Sequence, residues 1–368
     1  MNKKRILIYI KDPKGGTGTF IKNLYFILTT NNYEVEFISH NSFNLDLIKE
    51  SKIGFWFNKQ NNFSLINIFY SFLNIIYLVK KVFIFKPAYI FSIDLYANVI
   101  SILIKIAFFP NIILINSTHV NLYKHIIFDR NRLFSSFILL MVKWLYPKAN
   151  MHITPSLELS LHIEKIINNN QLKIKTIYYF LNRKEIIRLS KQTKINKKYT
   201  LTTFSRLDHQ KNVELLVESV LFFNKKNKRK ITLQILGDGD LARGIKKKYM
   251  NNKSIDFIGW KKNPFPYLLN TKIYILISKY EGFPYSILEA MTLGKPTIAS
   301  DVDYGPREIT DKNKFGLLTN NTIKDISKSI STMLIKKNFC KYKRQSIIRS
   351  IDFDQIKLKN QYLSLFKS

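Results

Sequence analysis

The chain has 368 residues, 46% of them hydrophobic and 14% aromatic, and its 59 Lys and Arg against 25 Asp and Glu give a formal net charge of +34. This length exceeds the roughly 250–300 residues at which a single core stops growing, so two well-filled domains are expected. One cysteine, Cys340, excludes an internal disulfide and a cysteine-based zinc site, while the charge implies attraction to nucleic acid, an acidic membrane surface or phosphorylated substrates. Heavy use of Lys, Asn and Ile along the whole chain is a second source of that charge.

The apolar run "RILIYI" reads as a first strand, too short for the apolar core of a signal peptide. The stretch "KDPKGGTGTF" follows, and its Gly15 and Gly16 can bring backbone N–H groups up to a phosphate. A P-loop ATPase needs Lys and then Ser or Thr at the helix start, for the β/γ-phosphates and Mg²⁺. Those two places hold Thr19 and Phe20, so ATP fits poorly. A tight strand-to-helix turn needing glycine only for its backbone angles is the plainer structural reading.

Further strands are expected at "VEFIS", "AYIFSID", "IILINS" and "MHITPS", with helical patterns around Thr19 to Thr30, Leu65 to Val82, Tyr96 to Ala107 and Leu133 to Leu145. Short β-branched runs alternating with longer helical ones are the signature of parallel sheets with crossover helices. Two apolar stretches, "INIFYSFLNIIYLV" before Lys80 and Lys81, and "FSSFILLMVKWLYPK", combine large apolar groups with cations as an interfacial docking surface does. Core packing is the expectation for most of their apolar side chains. Neither reaches the 18 or so residues of a spanning helix. The chain is therefore read as cytoplasmic, resting on the inner face of a membrane.

A polar, lysine-rich passage after "KTIYYFLN" marks the linker, residues 183–198, between a first domain, 1–182, and a second, 199–351. Residues 352–368 have helical spacing and are expected to pack back towards the first domain. In the second domain, strands are expected at "TLTTFS", "ITLQILG", "IDFIG", "IYILIS", "PTIAS" and "FGLLT". Helices are expected at Val213 to Phe223, Leu241 to Tyr249 and Tyr285 to Met291. Basic residues are scattered in groups such as "NKKNKRK", without zinc-finger spacing or an RNP-like motif, which argues against nucleic acid.

Three pieces of the second half carry the chemistry. "FSRLDHQKN" offers Arg206 and Lys211 at one strand-to-helix junction, a site for a diphosphate or a solvated basic loop. "LGDGD" lets the chain turn closely at Gly237 and Gly239 around a nucleotide, and Asp238 with Asp240 forms a D-x-D that a turn explains as well as a metal does. "YEGFPYSILEAMTLGKP" places Glu281 in a loop and Glu289 on the helix that begins near Pro284. Glu289 can accept hydrogen bonds from two ribose hydroxyls and Glu281 can reach sugar hydroxyls. The N–H groups of Tyr285, Ser286 and Ile287, expected to be free at the helix start, can hold phosphate or sugar oxygens.

At these residues the chain resembles retaining GT-B glycosyltransferases of family 4, the glycosyl transferases group 1. It shares "R-L-x-x-x-K-N" at Arg206 to Asn212, "G-D-G" at Gly237 to Gly239 and "E-G-F-x(5)-E-A-M" at Glu281 to Met291. The resemblance implies an α/β chain of the GT-B fold, two Rossmann-like doubly wound domains facing each other across a cleft. It also implies closure of the domains over the donor. Arg206 and Lys211 would neutralise the leaving diphosphate, Glu289 would bind ribose, and Glu281 would bind the donor sugar, helped by the backbone along Phe283, Pro284, Tyr285 and Ser286. Tyr285 and Ser286 would line that sugar, and Gly15 and Gly16 would approach donor phosphate and sugar. His119 stands where family members carry a histidine near the reacting centre, and capping a loop is its other reading. Where the family has glycine before the arginine, this chain has Ser205.

The tract "SDVDYGPREI" extends the resemblance to members that move UDP-activated hexoses or N-acetylhexosamines onto lipid-linked or surface glycans. The implied partners are a UDP-sugar donor, a glycan or lipid-linked acceptor and an anionic inner-membrane surface, without nucleic acid. No cofactor and no metal are expected, because fixed cations can stabilise the departing diphosphate. A P-loop-type ATPase and a non-catalytic basic protein binding nucleic acid or membrane remain the rival classes.

Overall fold

A computed structural model describes residues 3–13, 15–39, 65–119, 132–168 and 173–367, without the side chains of 65–72 and 132–135. Lys14 of the glycine loop and residues 120–123 after His119 lie outside the described residues. The chain divides into two compact units, Met1–Tyr178 with Lys359–Ser368, and Tyr179–Leu358.

In the first unit the order is β1 (Lys4–Ile10), α1 (Gly16–Thr30), β2 (Tyr33–Ser39), α2 (Leu65–Phe85), β3 (Tyr89–Ile93), α3 (Asp94–Ala107), β4 (Ile113–Ser117), α4 (Arg132–Leu145), β5 (Met151–Thr154), α5 (Leu157–Ile167) and β6 (Ile174–Thr176). The six strands form one sheet in the order β2-β1-β3-β4-β5-β6, every pairing parallel. A parallel sheet is covered on both faces, which is why β1 and β3 read as continuous apolar runs. Ile6 to Ile10 are fully buried.

The second unit holds α6 (Arg183–Ser190), β7 (Tyr199–Phe204), α7 (Val213–Lys226), β8 (Leu233–Leu236), α8 (Ala242–Tyr249), β9 (Ile255–Gly259), α9 (Phe265–Leu269), β10 (Thr271–Leu276), α10 (Tyr285–Thr292), β11 (Thr297–Ser300), α11 (Pro306–Thr310), β12 (Leu317–Thr319), α12 (Ile323–Leu334) and α13 (Lys336–Ile351). Its sheet runs β12-β11-β10-β7-β8-β9, again all parallel. Thr322 caps α12 by accepting from the Asp325 N–H at 3.1 Å.

The expected linker departs from its reading. Residues 183–190 form a helix capped by Asn182, whose side chain accepts from the Glu185 N–H at 3.0 Å, and this helix packs on α9 and α10 within the second unit. Its Arg188 and Glu185 pair one turn apart, and buried Ile186 supplies the apolar contact that a lysine-rich composition obscures. The last helix, α14 (Gln355–Leu363), ends among first-unit residues. There the Tyr362 hydroxyl donates to the Ile177 and Tyr178 carbonyls at 3.1 and 3.2 Å, and the Phe366 ring sits edge-on to Tyr89 at 5.4 Å. Among the described residues no helix is long and apolar enough to cross a membrane.

Candidate active site

The strand order of the second sheet reverses between β10 and β7, and loops leaving the carboxyl ends of strands at such a point line a crevice that binds ligands in open α/β sheets. The loop after β7 carries Ser205 to Asn212, and the loop after β10 carries Ser278 to Pro284. They are tied to each other. Lys279 N–H donates to the Gln210 carbonyl at 2.8 Å, and the Gln210 side-chain amide donates to the Tyr280 carbonyl at 2.9 Å. Lys211 Nζ reaches Glu281 Oε1 at 2.6 Å, with only 15% and 5% of the two side chains exposed. The two groups assigned to diphosphate and sugar therefore neutralise each other.

Arg206 is arranged differently. Its guanidinium contacts Asp208 Oδ2 at 3.2 Å and Gln210 Oε1 at 3.0 Å, yet 58% of the side chain is exposed. Asp208 also accepts the Lys211 backbone N–H at 3.0 Å, an Asx turn that sets the loop's path. Asp208 and Gln210 were missed in the sequence; their signal was their place between the two cations. The backbone accepts Ser205 where glycine was expected, because its N–H continues the ladder to the Leu236 carbonyl at 3.0 Å and its φ is not positive.

Gly237 and Gly239 are needed for a close approach, but the approaching group is the protein's own backbone. A Cβ on Gly237, at φ 139°, would lie 1.8 Å from the Ser205 carbonyl oxygen, and one on Gly239, at φ 158°, 2.6 Å from that of Leu207. With the Leu207 N–H bonded to the Asp238 carbonyl at 2.9 Å, this turn is a clamp on the Arg206 loop. Asp238 itself binds the Gly239 N–H at 2.8 Å.

In the third piece, several expectations change. The Phe283 ring packs edge-on against Tyr179 at 5.8 Å and Phe353 at 5.6 Å, while Tyr285 stacks on Tyr179 at 4.5 Å and its hydroxyl donates to the Phe180 carbonyl at 3.3 Å. Both rings are core groups, so Tyr285 does not line a sugar with its side chain. The Ile287 N–H, expected to be free, bonds to the Pro284 carbonyl at 3.2 Å. Ser286 is half-buried and its hydroxyl bonds to Tyr274. Gly305 follows β11 and fits against this loop; its missing Cβ would sit 2.5 Å from the Gly282 carbonyl.

Glu289 lies on α10 with 9% exposure. Burial raises its carboxyl from the ordinary value to about 7. Among the described residues neither an ion pair nor a side-chain hydrogen bond is found for this carboxylate, so it can accept from a hydroxyl donor.

In the first unit the sheet reverses between β1 and β3, and the loops there hold Gly15, Gly16 and Asp94. Gly15 precedes α1 with φ 59°, a left-handed angle that favours glycine, and the space where its Cβ would point is open. Gly15 and Gly16 are exposed. Phe20, one helical turn on, is a core ring against Phe91, His119 and Tyr362, which removes it as a ligand of any kind.

His119 is buried, its Nε2 2.6 Å from Ser117 Oγ, and burial with His152 nearby lowers its pKa to about 3. It is a neutral imidazole. Its backbone N–H bonds the Asp94 carboxyl. Asp94 was not foreseen, although an aspartate directly after a buried strand is a visible signal. It holds φ 70°, its buried Oδ1 has no hydrogen-bond partner among the described residues, and burial, reinforced by Asp12, moves its pKa up to about 7 against the His119 N–H. Among the described residues no group of three His, Cys, Asp or Glu is placed to hold a metal ion.

The model for glycosyl transferases group 1 matches residues 185–349, which span every one of these second-unit loops. In that stretch the chain is similar to that family. Relatives include an uncharacterised glycosyltransferase of Methanocaldococcus jannaschii, 29% identical over 51% of this chain and 52% of its own. The poly(ribitol-phosphate) α-N-acetylglucosaminyltransferase of Staphylococcus aureus is 27% identical over 54% of this chain and 41% of its own. The chain thus spans about half the length of the curated relatives it matches. Among solved structures, sucrose-phosphate synthase from Thermosynechococcus elongatus superposes with TM-score 0.81 at 16% identity, covering 99% of this chain and 98% of that one. Anabaena HepE in complex with UDP and glucose gives 0.75 at 16%, covering 99% of both. These likenesses establish the GT-B fold, two Rossmann-like units in one chain.

Proposed function

We propose that this group 1 glycosyltransferase chain is a retaining enzyme that moves a hexose or N-acetylhexosamine from a UDP-sugar to a lipid-linked or surface glycan acceptor. The observation that carries the reading is the meeting of Lys211, Glu281 and the Arg206 loop at the point where the second sheet reverses, with Glu289 open on the adjoining helix. The second unit takes the donor and the first the acceptor, which suits the bacterial enzymes of surface and lipid-linked glycans among the relatives.

Breaking the anomeric C–O bond puts negative charge on the nucleoside diphosphate. Fixed positive potential at that diphosphate is the largest available help, and Arg206 with Lys211 supplies it. Exposed Arg206 can meet the ligand directly. Lys211 must first exchange Glu281 for phosphate, which frees the Glu281 carboxylate to accept sugar hydroxyls in the same event. The N–H groups of Tyr285 and Ser286 at the start of α10 add their dipole, and Glu289 accepts from ribose. In retention the acceptor attacks the face from which the phosphate departs, and a phosphate oxygen takes its proton. These groups make a divalent ion unnecessary, so activity persists in EDTA.

The deciding experiment is a thermal-shift panel of nucleotide sugars followed by donor hydrolysis with the best hit, since a ligand of the folded state raises its melting temperature. UDP and a UDP-sugar are expected to stabilise the chain. Stabilisation by ATP with Mg²⁺ alone would overturn the assignment. A lipid-linked acceptor would be met at an anionic membrane surface, which is the further partner of this reading.

A further inference from the structure

Helices α2, α3 and α4 cover one face of the first sheet and pack side by side on it. Their inner residues, Leu78, Val82, Ile102, Ile104 and Val142, are buried. Their outer residues are not polar. Phe83 and Ile84 at the end of α2 are 68% and 62% exposed, Ile106 and Phe108 at the end of α3 are 53% and 58% exposed, and Trp144 on α4 is 71% exposed. Between the ends of α2 and α3 opens a cavity of about 460 Å³, lined chiefly by Phe83, Pro87, Phe108, Phe109 and Ile112, with Lys86 on its wall.

Charge carried by these helices themselves is almost all positive among the described residues, and the acids beside the end of α2 are already paired, Glu34 with Arg5 at 3.0 Å and Glu36 with Lys81 at 3.6 Å. The sequences of α2 and α4 contain no Asp or Glu, and the one acid of α3, Asp94, is at the opposite end of its helix from Ile106. Lys80 on α2, Lys86 just after it, Lys143 on α4 and Lys148 just after α4 are exposed. Large apolar side chains accompanied by cations unpaired among the described residues, with the neighbouring acids held in ion pairs, match the acyl boundary and the anionic headgroups of a bilayer. A protein partner with a mixed surface would ordinarily be met by both signs.

We propose that this end of the first unit, around Phe83, Ile84, Ile106 and Phe108, docks into an anionic lipid bilayer, with Lys80, Lys86, Lys143 and Lys148 against the headgroups. The cavity between α2 and α3 accepts acyl-chain ends. This gives a physical surface to the membrane reading above, and it stands or falls apart from donor binding, which belongs to the second unit.

The test is co-sedimentation of the full chain with vesicles of phosphatidylcholine, with and without phosphatidylglycerol, at low salt. Binding is expected only with the anionic lipid. The double variant Phe83→Glu with Phe108→Glu should bind at least about tenfold more weakly, and Lys86→Gln or Lys143→Gln about fivefold more weakly each. Met250→Glu, at an exposed apolar residue of the second unit, should bind as the parent does. Stabilisation by UDP should be unchanged throughout. The milder Phe83→Ala, checked by circular dichroism, guards against a folding defect. Equal binding by parent and double variant, no binding by the parent, or a dimer abolished by Phe83→Glu in a chain that ignores vesicles would each overturn the proposal.

Discussion

Lys211 Nζ stands 2.6 Å from Glu281 Oε1, and this buried pair joins the loops after β7 and β10 where the second sheet changes direction. Removing one member of a buried ion pair leaves the other uncompensated, at about 3–5 kcal/mol. Lys211→Ala should therefore lower the unfolding free energy by about that amount while reducing turnover on the order of 10²–10³-fold. Adding Glu281→Gln should restore most of the stability and none of the turnover. A stable, fully active Lys211→Ala would end the assignment.

Glu281→Gln alone separates the pair's two tasks. It leaves Lys211 without its counter-ion, so UDP should bind at least as tightly as to the parent. Transfer should fall, because the sugar loses a charged acceptor. Calorimetry with UDP and a donor-hydrolysis assay read the two effects separately.

Burial raises Glu289 to about 7, and ribose hydroxyls that donate to it favour the charged form. Binding UDP should release a proton near neutral pH, visible as a binding enthalpy that changes with the buffer's ionisation enthalpy. Affinity should rise from pH 5 to about 7 and then level. Glu289→Gln should abolish both effects.

The same two raised carboxyls, Glu289 and Asp94, shape stability in the unliganded chain. A folded-state value above the unfolded one means that stability is fully present below the unfolded pKa and lost as pH rises through the folded one. Unfolding free energy should therefore fall between about pH 4 and pH 7, on the order of 3 kcal/mol per group. Glu289→Gln and Asp94→Asn should each flatten the curve in urea titrations.

Gly237→Ala sets a Cβ 1.8 Å from the Ser205 carbonyl, and no side chain can yield there. The turn must move and carry the Arg206 loop with it. A loss of several kcal/mol in stability, with weaker UDP binding, is expected. Gly244→Ala is the control, since its Cβ would meet nothing within 4 Å.

Much of this protein is legible in its sequence. Buried strands such as "RILIYI" and "IYILIS" announce themselves because a parallel sheet covered on both faces demands unbroken apolar runs. Arg206, Lys211, Glu281 and Glu289 stood out through spacing in "RLDHQKN" and "EGFPYSILEA". The helix at 183–190 did not, since its apolar face is one buried isoleucine among charges.

Local sequence alone determined the alternation of strands and helices, the glycine turns and the types of charged residue in each loop, because backbone preference and hydrophobic period act over a few positions. Only tertiary structure decided that Lys211 neutralises Glu281 across 70 residues, that Phe283 and Tyr285 turn into the core, and that Gly237 yields to Ser205 rather than to a ligand. Those outcomes depend on which strand ends become neighbours, and sheet order is set by packing the whole unit, which no single segment encodes.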